Sequence, residues 1–325
     1  MDVFITIDTE VWCRGWKNID ERFPELFKRY VYGPTEHGDY GLPMLFKILN
    51  EHGLKAVFFI EPLFAARFTL EPLREIVGLV QAAGHEIQLH MHTEWVDEAT
   101  PPLLPAIKKK CRLMRELSRA QQSSLIAQGK ILLKQAGVAE VNAFRAGTYG
   151  ANRATLEALH DNGIHFDSSY NPSFATGAAD ISPDRVLTRP EQICGVTEFP
   201  VSVFTDPFNG RLRHLQVAAC SFAEMALVLN RAADAGWESV VLVSHNFEFL
   251  TPLKLHRDRV TVNRMIRLCQ FLARHSNRFN VRGFEGLAPS AYLSNAQSTP
   301  FRSTYWATGR RLVEQAIRRH LHANS

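Results

Sequence analysis

Short runs rich in β-branched and aromatic residues alternate along this chain with segments of helical spacing, and this alternation limits the fold more than any other feature. Strands are predicted at 3–7, 54–60, 85–92, 141–147, 164–169, 196–204, 212–220, 239–245 and 279–284. Helices are predicted at 42–52, 71–83, 103–118, 124–136, 151–162, 221–235 and 258–275. Such alternation is typical of parallel sheets with right-handed crossovers. Seven or eight such units in about 290 residues favour an α/β fold in which the sheet forms a closed or nearly closed barrel over one with two open sheets.

This barrel is predicted to span residues 1–290, followed by a C-terminal extension, 291–325, with a basic amphipathic helix. The net charge of the chain is +4, and residues 299–325 hold five arginines against one glutamate, so the extension carries the whole excess. The body therefore lacks the basic face that is typical of nucleic-acid-binding proteins. An apolar stripe runs along the extension at Leu312, Val313, Ala316, Ile317 and Leu321. We expect this stripe to pack on the body; contact with anionic lipid or a partner, as a peripheral membrane segment, is the alternative.

The cysteine pattern and the hydropathy pattern indicate a cytoplasmic protein. The five cysteines are widely spread and form no CxxC pair, which is typical of reduced thiols rather than of a disulfide framework. No stretch approaches the ~18 consecutive apolar residues of a transmembrane helix. The opening residues also lack the basic and apolar regions of a secretory signal.

Two carboxylates stand where the first predicted strand ends, in Thr-Ile-Asp-Thr-Glu at 6–10. In a (β/α) barrel the functional site lies at the carboxyl ends of the strands. Residues two apart on a strand share a face, so Asp8 and Glu10 are expected to point into the same space. Like charges repel there unless a cation lies between them or one group keeps its proton. The alternative is a loop-capping Asp8 beside a solvated Glu10.

The strand at 85–92 has one polar and one apolar face. The polar face carries Glu86, Gln88, His90 and His92, and the other carries Ile87, Leu89 and Met91. Two imidazoles and a carboxylate make a three-ligand site for zinc or a similar ion with one open position. Glu94 is a further candidate ligand, and the alternative is that the histidines are ordinary core or surface groups.

Three other polar residues follow predicted strands. Arg145 is followed by small residues that allow close backbone approach by a ligand. Its guanidinium can orient a carboxylate, hold an acidic substrate or form a structural salt bridge. His245 follows an apolar strand and is placed for general acid or base work, with a hydrogen bond to a loop carbonyl as the alternative. Asp167 is a weaker candidate that could orient Arg145 or His245, or cap a turn.

The strand ends, taken in order, resemble the polysaccharide deacetylase family, which includes chitin-type and peptidoglycan-type N-deacetylases. Nucleophile-elbow, P-loop and dinucleotide motifs are absent from the sequence. The resemblance covers about residues 3–285. It rests on Thr-Ile-Asp-Thr-Glu (6–10), Gly-Leu-Lys-Ala-Val-Phe-Phe-Ile (53–60), Gly-His-Glu-Ile-Gln-Leu-His (84–90), Phe-Arg-Ala-Gly (144–147) and Leu-Val-Ser-His (242–245).

The resemblance implies an α/β fold, an irregular (β/α) barrel of about seven parallel strands, and a hydrolase that uses a divalent metal to activate water. It implies five roles: Asp8 as general base, Glu10 and His90 as metal ligands, Arg145 as the residue that orients the base, and His245 as general acid. The family commonly has a second ligand histidine four residues after the first, where this chain has Glu94. Either His92 or Glu94 is therefore expected to substitute for it; the alternative is that metal binding is weakened or lost. The first motif is Asp-Thr-Glu rather than two adjacent aspartates.

The sequence thus predicts a hydrolase of non-peptide carbon–nitrogen bonds that removes N-acetyl or O-acetyl groups from a carbohydrate or a glycan precursor. The predicted metal ligands are Glu10, His90 and His92, with zinc as the expected ion and nickel or cobalt as alternatives. The predicted catalytic residues are Asp8, Arg145 and His245, with a backbone N–H near Tyr149 for the oxyanion. Two other functions stay open: a small-molecule amidase that works without metal, as some relatives do, and a degenerate barrel that serves as a scaffold through its basic tail.

Overall fold

The structure is a computed structural model of the 325-residue protein and describes residues 1–13, 15–174, 180–251, 256–288, 292 and 299–323. Its strands are β1 (Asp2–Thr9), β2 (Pro34–Thr35), β3 (Gly38–Asp39), β4 (Val57–Ile60), β5 (Glu86–Met91), β6 (Ala143–Ala146), β7 (Phe166–Asp167), β8 (Glu191–Ile193), β9 (Val196–Glu198), β10 (Val203–Thr205), β11 (Leu212–His214), β12 (Ser239–His245), β13 (Asn280–Val281) and β14 (Phe301–Arg302). Its α-helices are α1 (Ile19–Val31), α2 (Leu42–Glu51), α3 (Ala65–Phe68), α4 (Glu71–Ala82), α5 (Arg119–Gln135), α6 (Arg153–Asp161), α7 (Phe222–Asp234), α8 (Arg259–Arg274) and α9 (Tyr305–Ala323).

The chain forms two compact units that are interleaved in sequence. The first unit combines Met1–Ala56, Val203–Arg282 and Pro300–Ser325, and the second combines Val57–Ser202 and Gly283–Thr299. The division of the chain at residue 290, which the sequence analysis predicts, falls at 289–291, outside the described residues. It therefore stays a prediction.

In the first unit a parallel pair of buried strands sets the register of the residues at their ends. β1 pairs with β12 from Asp2 opposite Ser239 to Asp8 opposite His245, and β13 pairs with the start of β1. The apolar residues of β1 and β12 are almost fully buried, as expected of a parallel sheet that is covered on both faces. Helix α7 begins at the predicted capping box, in which Ser221 and Glu224 each bond the other's backbone N–H.

In the second unit β4, β5, β6, β7 and β9 run parallel, and β8 lies antiparallel against β9. All six residues of β5 are buried, including the polar ones, so these polar side chains must find partners inside the protein. Helices α5 and α6 each begin with a capping box, formed by Ser118 with Gln121 and by Asn152 with Thr155.

Several predicted elements are wrong or shortened. The helix predicted at 103–118 is absent: that segment holds only a 3₁₀ turn at Met114–Glu116, and α5 starts at Arg119. Prolines at 101, 102 and 105 remove backbone donors at its start. The sequence analysis assigns no helix or strand to residues 11–41, but this segment contains α1, and the strand predicted at 196–204 is divided into β9 and β10. It also assigns no element to residues 170–195; of these, 175–179 lie outside the described residues, and the end of the segment forms β8.

Helix α9 packs on the first unit, but through the face opposite to the predicted apolar stripe. Its buried residues are Ala307, Thr308 and Arg311, whereas Leu312, Val313, Ala316 and Ile317 are exposed; the side chain of Leu321 lies outside the described residues. Buried Arg311 explains this orientation, because its guanidinium forms ion pairs with Asp206 and Glu224. The ion pairs of Arg311 therefore determine which face of α9 is buried, and burial of the apolar side chains does not.

Two further sequence expectations can be compared with the structure. All five cysteines have free thiols in the structure. None of the described helices combines the length and the apolar character that a bilayer span requires.

Candidate active site

The first unit brings together Asp8, Glu10 and His245. One ligand atom from each of these side chains lies within 4.8 Å of the others. The pairing of β1 with β12 accounts for this cluster, since Asp8 is directly opposite His245 in the register. The His245 Nε2 atom lies 3.9 Å from Oδ2 of Asp8, so the imidazole and the carboxylate attract each other when the ring is protonated.

Asn246, which sequence reasoning missed, fixes the backbone that carries Glu10. The backbone N–H of Glu10 donates to Oδ1 of Asn246 at 3.1 Å. The Asn246 amide donates in return to the Glu10 carbonyl at 3.1 Å and to the Tyr30 carbonyl at 2.7 Å. A side-chain amide with both ends occupied holds the chain after β1 in one conformation. Asn246 directly follows His245, and this position is the sequence signal that could have identified it.

Glu248 holds the imidazole of His245 from behind. The Nδ1 atom of His245 lies 2.8 Å from Oε1 of Glu248, and Ser244 Oγ donates to the other carboxylate oxygen at 2.8 Å. Burial lowers the pKa of His245, but the hydrogen bond and charge of Glu248, together with Glu10 and Asp8, outweigh burial and raise it to about 9. Burial raises the pKa of Glu248, yet bonding to His245 lowers it overall. The pair thus favours an imidazolium beside a carboxylate.

In the second unit His90 and His92 stand side by side at the end of β5. Their ring centroids are 4.9 Å apart, and the rings meet edge to face. Nδ1 of His90 lies 2.8 Å from the Arg145 carbonyl oxygen, an arrangement that places the proton on Nδ1 and the lone pair on Nε2. Nδ1 of His92 lies 3.3 Å from Oε2 of Glu94. Metal-binding histidines are typically oriented in this way, by a carbonyl or a carboxylate on the second ring nitrogen.

Two contacts fix the position of His92. Its backbone N–H donates to the carboxylate of Glu61, a residue that the sequence analysis did not single out. Its ring lies against Gly147, where an added Cβ would come within 2.5 Å of the imidazole. Gly147 therefore makes room for the ring of His92. The sequence analysis had instead predicted that the small residues after Arg145 make room for a ligand.

Arg145 is fully buried, and its guanidinium lies among polar and aromatic groups of the second unit. Its Nε donates to the Ser168 carbonyl and its Nη2 to Ser168 Oγ, both at 2.9 Å. The guanidinium carbon lies 4.6 Å from the ring centroid of Phe59. Full burial leaves no surface for an acidic substrate, so the structure favours an orienting or structural role over direct substrate contact.

A buried pair of carboxyl groups, Asp167 and Glu198, occupies adjacent positions of β7 and β9. Oδ2 of Asp167 and Oε2 of Glu198 have no hydrogen-bond donor. Burial raises the pKa of both groups, and the mutual repulsion raises the pKa of Glu198 further, against the opposing charge of Arg145. One proton shared between the two groups satisfies both oxygens. The hypothesis that Asp167 orients Arg145 therefore concerns a protonated pair, whose second member sequence reasoning missed.

Among the described residues of the first unit, the side chains of Asp8, Glu10 and His245 have donor atoms that suit a metal ion. Imidazole nitrogens and carboxylate oxygens are the donors of three-ligand zinc sites. The oriented rings of His90 and His92 fit such an ion. The protein therefore has a candidate metal site of histidine and acidic residues.

Comparison with known proteins gives a family match for part of the chain and a structural match for most of it. Residues 33–166 match the family model described as polysaccharide deacetylase. A candidate polysaccharide deacetylase from Mycobacterium smegmatis is 17% identical with a TM-score of 0.51, over 88% of this chain and 94% of its own. A family 4 carbohydrate esterase from Streptomyces lividans, solved with acetate, is 14% identical with a TM-score of 0.42, over 91% and 97%. A CE4 family pseudoenzyme from Bacillus anthracis is 11% identical with a TM-score of 0.42, over 93% and 69%.

The chain is similar to the polysaccharide deacetylase family over residues 33–166. It has an α/β fold with a curled, mostly parallel sheet, the distorted (β/α) barrel of that family, as the sequence analysis predicts. No curated protein matches the chain. The roles of the individual site residues stay predictions.

Proposed function

We propose that this protein is a metal-dependent hydrolase that removes N-acetyl or O-acetyl groups from a carbohydrate or a glycan precursor. The observation that carries this proposal is the cluster of Asp8, Glu10 and His245, which places a carboxylate and an imidazole within 4.8 Å at the ends of two paired strands. A base and an acid at such a separation are what hydrolysis of an amide or ester needs. The match of residues 33–166 to the polysaccharide deacetylase family model supports the acetyl group as the target.

Glu10, His90 and His92 are the proposed ligands of a divalent ion, with zinc first and nickel or cobalt as alternatives. The support lies in the second nitrogens of the two rings, which face the Arg145 carbonyl and the Glu94 carboxylate. In this assignment Glu94 orients His92 and does not replace it. A divalent ion, when bound, polarises the acetyl carbonyl and lowers the pKa of a water molecule to about 7.

Asp8 is the proposed general base and His245 the proposed general acid. Asp8 takes the proton of the attacking water, and His245 gives a proton to the leaving amine or alcohol. Glu248 supports the second role, because it lies on Nδ1 of His245 and stabilises the protonated ring with Nε2 turned toward Asp8. Arg145 is the proposed positioning residue for the base. A backbone N–H near Tyr149 is the proposed donor to the tetrahedral oxyanion.

The test joins a metal measurement to a substrate panel. The purified full-length chain is assayed for bound zinc, nickel and cobalt. Acetate release is then measured from acetylated chitin oligomers, acetylated xylan, N-acetylated sugar precursors and small cyclic amides, before and after chelation. We expect about one ion per chain, acetate release from at least one carbohydrate, and loss of that activity on chelation with recovery on metal addition.

Other results would support the two competing functions. Turnover of a small amide that survives chelation would identify a metal-free amidase. Absence of turnover with every substrate and metal would favour a scaffold protein. The proposed cytoplasmic location is supported by the five free thiols.

A further inference from the structure

The outer face of α9 carries five of the nine exposed large hydrophobic side chains in the described part of the chain. We define it as Tyr305, Trp306, Leu312, Val313, Ala316 and Ile317. Its large members Tyr305, Trp306, Leu312, Val313 and Ile317 are 47–67% exposed, and these five are among only nine large hydrophobic side chains that are exposed in the described ranges. A sixth, Phe208, meets Tyr305 edge to face at 5.2 Å and extends the same surface. Such concentration on one helix marks an interaction site rather than scattered surface apolarity.

The opposite face of α9 is polar, and ion pairs anchor it. Arg311 is paired with Asp206 and Glu224, and Thr308 donates to Glu224 at 3.0 Å. Arg264 of α8 donates to Glu314 at 2.8 Å. Because these buried polar contacts fix the rotation of the helix, the apolar residues cannot turn inward without leaving buried charges unpaired. The outward position of the apolar face is therefore a built feature of the first unit.

The charges around the outer face are positive. Arg310 and Arg319 are exposed, and Arg310 lies 5.5 Å from the ring centroid of Trp306. The one acidic residue of α9, Glu314, is oriented toward Arg264 at 2.8 Å and reaches Arg310 only at 3.9 Å. An apolar face with Trp and Tyr at one end and arginines at its borders has the composition of a helix that lies in the interface of an anionic membrane.

We propose that the outer face of α9 docks this protein on an anionic lipid surface. The helix lies in the membrane plane, with Val313 and Ile317 in the acyl boundary and Trp306 at headgroup level, and with the arginines on lipid phosphates. A second copy of the chain is a weaker occupant. A 19-residue helix is about 28 Å long, and a face about 10 Å wide offers about 300 Å², well below the ~800 Å² per partner of a stable interface.

The test is co-sedimentation of the full-length chain with vesicles of pure phosphatidylcholine and with vesicles in which a third of the lipid is phosphatidylglycerol. We expect binding to the anionic vesicles and at least tenfold weaker binding to neutral ones. The double variant Val313→Asp/Ile317→Asp should bind anionic vesicles at least tenfold more weakly. The double variant Arg310→Gln/Arg319→Gln should bind anionic vesicles about fivefold more weakly for each arginine removed. Ile131→Asp, at an exposed apolar position on α5, is the matched control and should bind like the parent.

All substituted positions are exposed, so the thermal midpoints of the variants should match the parent. Equal vesicle binding by the parent and Val313→Asp/Ile317→Asp would overturn the proposal. So would a concentration-dependent dimer, lost in that variant, with no vesicle binding; that result would identify a second copy as the occupant. Absence of both vesicle binding and dimers would overturn it as well.

Discussion

The two units present their candidate site residues in different ways. In the first unit the side chains of Asp8, Glu10 and His245 contact one another, and Glu248 completes the group through Nδ1 of His245. In the second unit His90 and His92 are each held on Nδ1, by a backbone carbonyl and by a carboxylate. The first arrangement couples charges that can exchange protons, whereas the second fixes tautomers and orients lone pairs.

This difference assigns distinct chemistry to the two clusters. A coupled carboxylate and imidazolium suit a base and an acid, whose value lies in changing protonation state. Imidazoles with a fixed proton suit metal binding, which requires the neutral ring. The comparison also distinguishes the proposed metal ligands, Glu10, His90 and His92, from the cluster of Asp8, Glu10 and His245. Only the cluster contains the proposed base and the proposed acid. Substitutions in one cluster should therefore change proton transfer, and substitutions in the other should change metal affinity.

The largest expected effect belongs to Asp8→Asn. The amide keeps the size of the side chain but cannot accept the proton of water, so we expect acetate release to fall by about 10²–10⁴-fold. The metal content should stay near the parent value, because Asp8 is outside the proposed ligand set. Acetate release and bound metal are measured on the same preparation, with exposed Asp184→Asn as the control. Loss of the ion in Asp8→Asn would instead favour the set of Asp8, Glu10 and His245.

His90→Gln should give the complementary result. Removal of one imidazole ligand should lower metal affinity by more than about 100-fold, because substitution of residues that merely orient a ligand already costs 10–100-fold. Acetate release should fall with it and recover in part at high metal concentration. Titration against a competing chelator measures the affinity, and His160→Gln on the exposed surface of α6 is the control. Unchanged affinity would remove His90 from the metal site.

Local sequence patterns predict the elements that position both clusters. They fail where a proline lies inside a helix or where charges distant in sequence determine how a helix packs. The alternation of faces in 85–92 and the apolar run before His245 correspond to β5 and β12. Helix α1 was missed because it contains Pro24 and its N-cap, Asn18, makes no side-chain capping bond. The rotation of α9 depends on Arg311 meeting Asp206 and Glu224, which are 87–105 residues away in sequence.

Strand ends in the sequence indicate the residues of the candidate site, but not the groups that support them. Asp8, Glu10 and His245 follow from strand ends, because the carboxyl ends of parallel strands meet at one edge of the sheet. Glu61 and Glu198 gave no such signal, since each is defined by a partner on another strand. Glu248 was closer to detection, because it follows His245 by three residues. Supporting contacts of this kind depend on tertiary packing and not on periodicity.

Gly147→Ala should weaken the second cluster by a smaller amount. The added Cβ would lie 2.5 Å from the His92 ring, so the ring must shift from its position beside Glu94. We expect metal affinity and acetate release to fall by about tenfold, the size typical of a lost orienting contact. Gly78→Ala is the matched control, because nothing lies within 4 Å of its added Cβ and alanine favours helix α4. Equal behaviour of both variants would show that His92 does not depend on this contact.

The smallest effect concerns two pairs of carboxyl groups that differ in what balances their charge. Asp8 and Glu10 lie beside His245, whereas Asp167 and Glu198 are opposite each other in the register and have raised pKa values because they are buried. A carboxyl group with a raised folded pKa stabilises the fold below its unfolded pKa, and that contribution is lost as pH rises through the folded pKa.

Glu198→Gln retains a donor for Asp167 and does not titrate. The unfolding free energy of the variant should therefore increase relative to that of the parent as pH rises above about 5, by up to about 1.4 kcal/mol per pH unit. Urea unfolding of both proteins across pH 5–8 measures this difference. A difference independent of pH, as expected for exposed Glu140→Gln, would mean that the buried pair holds no shared proton.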